Sequence, residues 1–551
     1  MTLLFLLVAV TVFYIFYLCY CSGIRCNALV RVISVAYLRK LHTESARFCG
    51  KSALHLSSHL SVIQKEEPML LKHFFVGKIA HSSYILAGGR SCAVIDPQRD
   101  VDVYITAARA LGVDITHILQ THLHADFISG HMDLAQKTGA RIYVAKSAQC
   151  TFDHIPLSEG DTIELEDMVL QVLETPGHTP EHISYVVIDK SRSDSPVSVF
   201  VGDTLFVGDV GRPDLFPDIA QELAGQLYHS LHDKLLQLPD YVEVYPAHGA
   251  GSLCGRAIGA KWTSTIGYER RCNAALQIKD QSAFIQSLTE NMPPAPDHFS
   301  RCSDINRHGP ARLAELPVVE ELNAGQFRER MSDPAAVVLD TRSYHAYAGL
   351  HIPGAWHIDL GGNFPTFAGW VLPTDKEVLL VADDYDKALE AITWARRVGV
   401  DRIVGYLDGG MAAWAAAGYE TRSIRLLSAK DLHQMMAGVD DFVLVDVRAP
   451  QEYEDSHIGG AINIPVADLR TRYNELNRDR TTVLMCSSGN RSSLGVSILE
   501  QHGFKEIYNV AGGMTGYSAA GYTRECRVCV NPHGSRFFIG FREVRKHWDA
   551  E

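Results

Sequence analysis

Between Leu70 and about Asn291 short apolar runs alternate with helical stretches. Ser83-Tyr84-Ile85-Leu86 and Cys92-Ala93-Val94-Ile95 read as strands, compact apolar runs separated by polar and glycine residues. A helix is predicted around Val101 to Leu111, and Ile115 to Gln120 reads as a further strand leading into Thr121-His122. Such an order belongs to an α/β layer, whose chemistry collects in loops at the carboxyl ends of strands. Near Asn291 the pattern breaks. Met292-Pro293-Pro294-Ala295-Pro296-Asp297 opens a polar run to Pro310, which predicts an interdomain linker.

After the linker one pattern occurs twice. The first copy holds Val337-Val338-Leu339-Asp340-Thr341-Arg342, His351-Ile352-Pro353-Gly354-Ala355, Leu379-Leu380-Val381 and Leu407-Asp408-Gly409-Gly410-Met411. The second holds Val443-Leu444-Val445-Asp446-Val447-Arg448, His457-Ile458-Gly459-Gly460-Ala461, Val483-Leu484-Met485 and Val510-Ala511-Gly512-Gly513-Met514. Near-continuous apolar strands of this kind predict a parallel sheet covered on both faces. The expected division is an N-terminal extension (1–68), an α/β domain (69–291), a linker (292–315), two repeats (316–424 and 425–523) and a tail (524–551).

The extension stands apart. Thr2 to Ile24 carries no charge, and its apolar core, Leu3 to Tyr20, suffices for one membrane anchor by the criterion of about 20 residues. A cleaved signal peptide competes, without a basic start or a clear cleavage site. Arg25, Arg31, Arg39, Lys40, Arg47 and Lys51 against Glu44 instead suit an organellar presequence, and an unstructured extension ahead of Met69 is a third reading. The rest is ordinary globular protein, and a net charge of -13 argues against a nucleic-acid partner. Of twelve cysteines, Cys19, Cys21, Cys26 and Cys49 precede the first domain, and most of those from Cys92 to Cys486 are isolated. Isolated thiols suit the cytoplasm or the mitochondrial matrix. Cys526-x-x-Cys529 lacks the second pair that a zinc knuckle needs. Oligomeric state stays open, a homo-oligomer included.

The densest chemistry lies in four loops: Thr121-His122-Leu123-His124-Ala125-Asp126, Thr175-Pro176-Gly177-His178-Thr179-Pro180-Glu181-His182, Gly202-Asp203-Thr204 and Pro246-Ala247-His248-Gly249. Gly177 and Gly202 permit tight turns that aim side chains at one point, and imidazole with carboxylate suits zinc or iron. His122-x-His124-x-Asp126 with His178, Asp203 and His248 resembles the metallo-β-lactamase superfamily, which implies an αββα sandwich with a metal groove. Dinuclear hydrolases of that superfamily, such as glyoxalase II, place a second histidine directly after the aspartate, where this chain has Phe127. The resemblance therefore implies a mononuclear centre on His122, His178 and Asp203, with His124, Asp126 and His248 orienting ligands or water. Two histidines and one carboxylate leave positions open on Fe(II).

With that triad the chain resembles the persulfide dioxygenases, which oxidise the outer sulfur of glutathione persulfide or a related small persulfide with O2 to sulfite. The resemblance implies one Fe(II) per chain, with Zn(II) as the alternative. Leu205 to Asp214 also resembles the bacterial branch fused to rhodaneses. Arg212 is expected to steer substrate carboxylates, against a competing ion pair with Asp214. Cys254 lines the pocket or is an inert buried thiol.

In the second repeat Met485-Cys486-Ser487-Ser488-Gly489-Asn490-Arg491-Ser492 follows an apolar strand and precedes a helix. A loop there aims backbone N–H groups inward and stabilises a persulfide anion on Cys486, while Arg491 holds anionic thiosulfate or sulfite. This Cys-x-x-Gly-x-Arg loop, with Asp446-x-Arg448 and Gly512-Gly513-Met514, resembles the rhodanese sulfurtransferases; phosphatase loops usually have one more residue before the arginine. The first repeat has Ala382-Asp383-Asp384-Tyr385-Asp386-Lys387-Ala388 at that place, without cysteine, and is expected to be catalytically inactive. The whole resembles bacterial fusions that convert persulfides to thiosulfate. A glyoxalase II-like zinc thioester hydrolase with rhodanese appendages and a non-catalytic sulfur carrier or persulfide sensor are the alternatives.

Overall fold

The computed structural model of the chain describes residues 69–522 and 525–526, apart from 291, 293, 294, 439 and 440. The extension before Met69, its anchor and presequence readings, and Cys529 lie outside the described residues. Among the described residues no helix is long and apolar enough to cross a membrane.

Two six-stranded sheets form the first domain. One is β1 (Leu70–Val76), β2 (His81–Ala87), β3 (Ser91–Ile95), β4 (Asp114–Leu119), β5 (Arg141–Ala145) and β6 (Ile155–Leu157), in that order. The other is β7 (Thr162–Leu165), β8 (Met168–Glu174), β9 (Ile183–Asp189), β10 (Pro196–Gly202), β11 (Glu243–Pro246) and β12 (Ser264–Thr265). Interior strands β2 and β9 are buried along almost their whole length, so they carry unbroken apolar runs, whereas edge strand β7 alternates exposed and buried residues. Helices α1 (Asp102–Leu111) and α2 (His131–Thr138) pack on the first sheet. Helices α3 (Ala220–His229) and α4 (Gln281–Thr289) cover the second, where Leu223, Leu227 and Phe284 are buried and the latter two share a core with Val199 and Val244. The architecture is the αββα sandwich.

The expected linker is not wholly irregular. Residues 298–308 form helix α5 (His298–His308), ended by Gly309 in the left-handed region. Its polarity misled because its buried polar face serves another segment's backbone. Asn306 donates to the carbonyls of His124 (2.8 Å) and Phe127 (2.9 Å) and accepts from the N–H of Ser129 (2.9 Å), and Ser303 donates to the carbonyl of Leu123 (3.2 Å).

Both repeats are five-stranded all-parallel sheets with the same order. The first is β13 (Glu320–Leu322), β14 (Ala336–Asp340), β15 (Trp356–His357), β16 (Glu377–Val381) and β17 (Ile403–Leu407). The second is β18 (Arg425–Leu427), β19 (Phe442–Asp446), β21 (Ile462–Asn463), β22 (Thr481–Met485) and β23 (Ile507–Val510), with β20 (Ser456–His457) pairing the short β24 (Glu525–Cys526). The Asp-x-Arg motif proves to be a repeated buried ion pair, Asp340–Arg342 and Asp446–Arg448, each 2.6 Å. Helices α6 (Tyr344–Gly349) and α7 (Tyr385–Arg397) belong to the first repeat and α8 (Asn490–Gln501) to the second. One core joins the repeats, with Leu339, Tyr347 and Phe364 of the first packed with Val445, Leu494 and Ile498 of the second.

Candidate functional site

His122, His178, Asp203 and His248 leave the carboxyl ends of β4, β8, β10 and β11, so one edge of the sandwich gathers all four. Two glycines permit the turns. Gly177 has φ +145, and a Cβ there would meet Leu227 backbone and side-chain atoms at 2.4 to 2.7 Å. Gly202 has φ +49, and a Cβ there would strike the His182 ring at 2.4 Å. Only glycine tolerates both constraints.

His122 Nε2, His178 Nε2 and an Asp203 oxygen form one group that can hold a metal. Asp203 Oδ2 is 3.4 Å from His178 Nε2 and 3.7 Å from His122 Nε2. Ligand atoms each about 2.1 Å from a common ion stand at about this separation. Both Nε2 atoms are buried without a hydrogen-bond partner, although such atoms are ordinarily satisfied. Their other nitrogens are engaged: His178 Nδ1 donates to the carbonyl of Arg212 (2.9 Å), and His122 Nδ1 is 2.9 Å from Thr121 Oγ1. The three residues thus fit a metal ion. Burial alone, followed by the neighbouring imidazoles, holds the His122 ring well below the ordinary histidine range and in the neutral form that ligates. For Asp203 burial works in the opposite sense, but His248 beside it more than reverses this and keeps the carboxylate charged.

Asp203 is held from two sides. His248 Nδ1 reaches Oδ1 (2.7 Å), and His182 Nε2 accepts the Asp203 N–H (3.0 Å). His248 Nε2 lies 2.9 Å from Asp126 Oδ2. Between two carboxylates the His248 imidazole is raised well above its usual range, in spite of burial. Asp126, His248 and the Cys254 sulfur form a second group of possible ligands. His124 belongs to neither group, although its ring lies 4.1 Å from that of His122 between centroids, and its Nε2 is 3.2 Å from Asp96 Oδ1. Asp96 also accepts from the Thr121 N–H (2.8 Å) and hydroxyl (2.9 Å), so it fixes the loop on which His122 sits. Phe127 is fully buried, 4.1 Å from His81 and 4.4 Å from His124 between ring centroids.

Arg212 makes the ion pair with Asp214 that competed with a substrate contact. Its guanidinium is 2% exposed and forks onto Asp214 (2.8 and 2.7 Å), with a further bond to the carbonyl of Leu253 (3.2 Å). What it gives the centre is its carbonyl, which orients His178. His182, Asp96 and Asn306 are functional neighbours that sequence reasoning left without roles. The His-Thr-Pro-Glu-His spacing was a signal for His182; Asn306 had none.

The second chemical site lies on the second repeat. Cys486 directly follows β22, is 1% exposed, and receives hydrogen bonds on Sγ from the Gly489 N–H (3.1 Å) and the Ser492 hydroxyl (3.4 Å). Helix α8 begins directly after Gly489 and adds the positive end of its dipole. Arg491 does not face open solvent alone. It pairs with both oxygens of Glu452 (2.5 and 2.8 Å) and donates to Ser487 Oγ (2.8 Å). Burial alone would raise the Glu452 carboxyl, but Arg491 and Ser487 bring it down to about 2. Comparison of the repeats could have found it, because Ala346 stands at the matching place in the repeat without cysteine. In that repeat Asp384 merely caps α7, accepting from the Lys387 N–H (2.8 Å).

Comparison with known proteins agrees with this arrangement. The metallo-beta-lactamase superfamily matches residues 76–248, and the rhodanese-like domain matches residues 323–417 and 428–520. The mitochondrial persulfide dioxygenase ETHE1 of Mus musculus is 30% identical over 240 residues, 42% of this chain and 85% of that protein. A hydroxyacylglutathione hydrolase of Pseudomonas entomophila is 35% identical over 217 residues, 39% of this chain and 80% of that protein. A solved metallo-beta-lactamase from Staphylococcus aureus subsp. aureus COL is 34% identical with TM-score 0.56, covering 62% of this chain and 99% of that one. The chain belongs to the metallo-beta-lactamase superfamily, as a homologue of the persulfide dioxygenases that carries two rhodanese-like domains behind its metal-binding domain.

Proposed function

We propose that the chain is a persulfide dioxygenase coupled to sulfur transfer on Cys486. One observation carries the reading: two unsatisfied imidazole nitrogens and a carboxylate oxygen converge in a buried site, with Phe127 in place of a further ligand. Two histidines and one carboxylate suit a single Fe(II), which when bound supplies open positions for O2 and a sulfur ligand. The net reaction is RSSH + O2 + H2O → RSH + SO3²⁻ + 2H⁺, with glutathione persulfide or a related low-molecular-weight persulfide as substrate. The outer sulfur is oxidised and O2 is reduced. His248 holds Asp203 in the ligating orientation, the Arg212 carbonyl holds His178, and Phe127 keeps water from the inner wall.

Cys486 then receives sulfur from a second donor. Sulfite attacks the outer sulfur of the Cys486 persulfide, the Cys486–S bond to that sulfur breaks, and thiosulfate leaves as the thiolate is restored. The N–H of Gly489 and the Ser492 hydroxyl stabilise that thiolate, and Arg491, paired with Glu452 and Ser487, closes the loop beside it. Assayed with glutathione persulfide, Cys486→Ser is expected to retain O2 uptake and release sulfite instead of thiosulfate. Undiminished thiosulfate would refute the transfer step, and no O2 uptake with any persulfide would favour a sulfur carrier.

The Asp126, His248 and Cys254 group favours a second reading, a zinc thioester hydrolase. Against it, Phe127 stands directly after Asp126, where dinuclear hydrolases need a further histidine. Hydrolysis of S-lactoylglutathione by a zinc-loaded chain would support this alternative.

A further inference from the structure

The repeat without a cysteine reaches into the site of the repeat that has one. Tyr344, the first residue of α6, is 9% exposed, and its ring lies against Gly489 of the Cys486 loop. A Cβ on Gly489 would meet three ring atoms of Tyr344 at 2.8 to 3.2 Å. The Tyr344 hydroxyl accepts the N–H of Gly512 (3.3 Å), in the turn whose next residues bind the loop from its other side. There the Met514 and Thr515 N–H groups donate to the carbonyls of Cys486 (2.8 Å) and Ser487 (3.0 Å). One tyrosine therefore touches both segments that frame the cysteine. The ring is itself held: the Tyr344 N–H donates to Asp359 Oδ2 (3.1 Å), and its ring packs on His345 with centroids 3.9 Å apart. A second contact repeats the pattern, because a Cβ on Gly362 of the first repeat would lie 3.2 Å from Asn490 Nδ2. Cys486 is left 1% exposed with these groups in place.

The geometry points to Tyr344 as a specificity residue for sulfur transfer, a size filter that the cysteine-less repeat places against the Cys486 loop so that small anionic acceptors reach the sulfur more readily than bulky thiols do. This inference rests on the sulfur-transfer reading of Cys486. Loading from thiosulfate breaks its S–S bond, forms the Cys486 persulfide and releases sulfite with the bonding electron pair. An acceptor then attacks the outer sulfur: cyanide leaves as thiocyanate, glutathione thiolate as its persulfide, and Cys486 thiolate is regenerated in both cases. Cyanide passes the filter. Glutathione meets the tyrosine ring.

The test compares Tyr344→Ala and Tyr344→Phe with the unmodified full chain. The ratio of kcat/KM for glutathione to that for cyanide, with thiosulfate as donor, is expected to rise about tenfold in the alanine variant and to stay within about twofold in the phenylalanine variant, which keeps the ring. In parallel, Cys486 is alkylated with iodoacetamide or a fluorophore-bearing maleimide and quantified by peptide mass spectrometry. The bulky reagent should gain on the small one in Tyr344→Ala only. An unmoved ratio in the alanine variant, or an equal shift in the phenylalanine variant, overturns the filter. If the alanine variant folds poorly, Tyr344→Leu is expected to move both ratios in the same direction, and its failure to do so counts equally against the proposal. No transfer to either acceptor by the unmodified chain would refute the sulfur-transfer reading, and the alkylation ratio would still decide the role of Tyr344.

Discussion

Single side chains decide which groups stay charged at the two sites. His248 bridges Asp203 and Asp126, so its removal leaves one ligand carboxylate without its orienting partner. His248→Ala is expected to weaken metal binding by about 10- to 100-fold in competition with a chelator, the range for lost orienting partners of ligands. Glu452 offers a pH test. Its carboxyl falls from an ordinary 4.5 to about 2, so its pairing contributes stability that is complete above about pH 4.5 and is lost as pH falls towards 2. The pair is 25% and 38% exposed, and screening reduces its worth to about 1 kcal/mol. Glu452→Gln should lower stability to urea by that amount at neutral pH, with the gap closing below pH 4.5. A gap that widened in acid would contradict the assignment. The candidate metal ligands were legible because they are histidines and an aspartate just past strand ends, with His178 and Asp203 directly after glycine. Glu452 was not, since an isolated glutamate in a helix reads as solvated surface, and for Arg212 the sequence offered a substrate contact and the Asp214 pair with nothing to choose between them.

At the scale of elements, the strands and repeats were legible from apolar runs, and α1 was expected at Val101 to Leu111 and is found at Asp102–Leu111. Helix α5 was not, because a proline-rich start and a polar face resemble a linker when the partner is another segment's backbone. Its Asn306 satisfies three backbone groups of the loop that carries His124 and Phe127. Asn306→Ala leaves them buried and unpaired, a cost of about 2–4 kcal/mol, and thermal unfolding should move down accordingly together with loss of bound metal. Unchanged unfolding would mean that water replaces the amide there. Helix α7 supports the same loop from the first repeat. The Ile128 N–H donates to the carbonyl of Arg397 (2.7 Å), and Trp394 packs with Val76, Ile79 and Phe127. Phe127, absent as a ligand, is thus present as an anchor for the neighbouring domain. No periodicity in the sequence signals a contact of that kind.

Across the whole molecule the repeat without a cysteine is the piece both sites share. Two bidentate ion pairs, Arg99 with Asp401 and Arg397 with Asp100, fasten it to the metal-binding domain. Its core is continuous with that of the second repeat, and α8 is buried from Ser492 to Glu500. Glu500 crosses the boundary to His351 (3.1 Å) and Arg422 (3.1 Å) of the first repeat. Each apolar side chain in that joint core contributes about 1.5–3 kcal/mol by burial. A chain ended after residue 424 should therefore aggregate or bind a hydrophobic dye when its first repeat is uncovered, and a soluble, dye-silent truncation would contradict the shared core.

The central claim is a single iron held by His122, His178 and Asp203 that oxidises persulfides. Anaerobic purification with metal quantification, followed by O2 uptake on addition of glutathione persulfide, tests it most directly. The expected result is about one iron per chain with persulfide-dependent O2 consumption, lost when His178 is replaced by alanine. Two zinc ions per chain, with hydrolysis of S-lactoylglutathione and no O2 uptake, would contradict it.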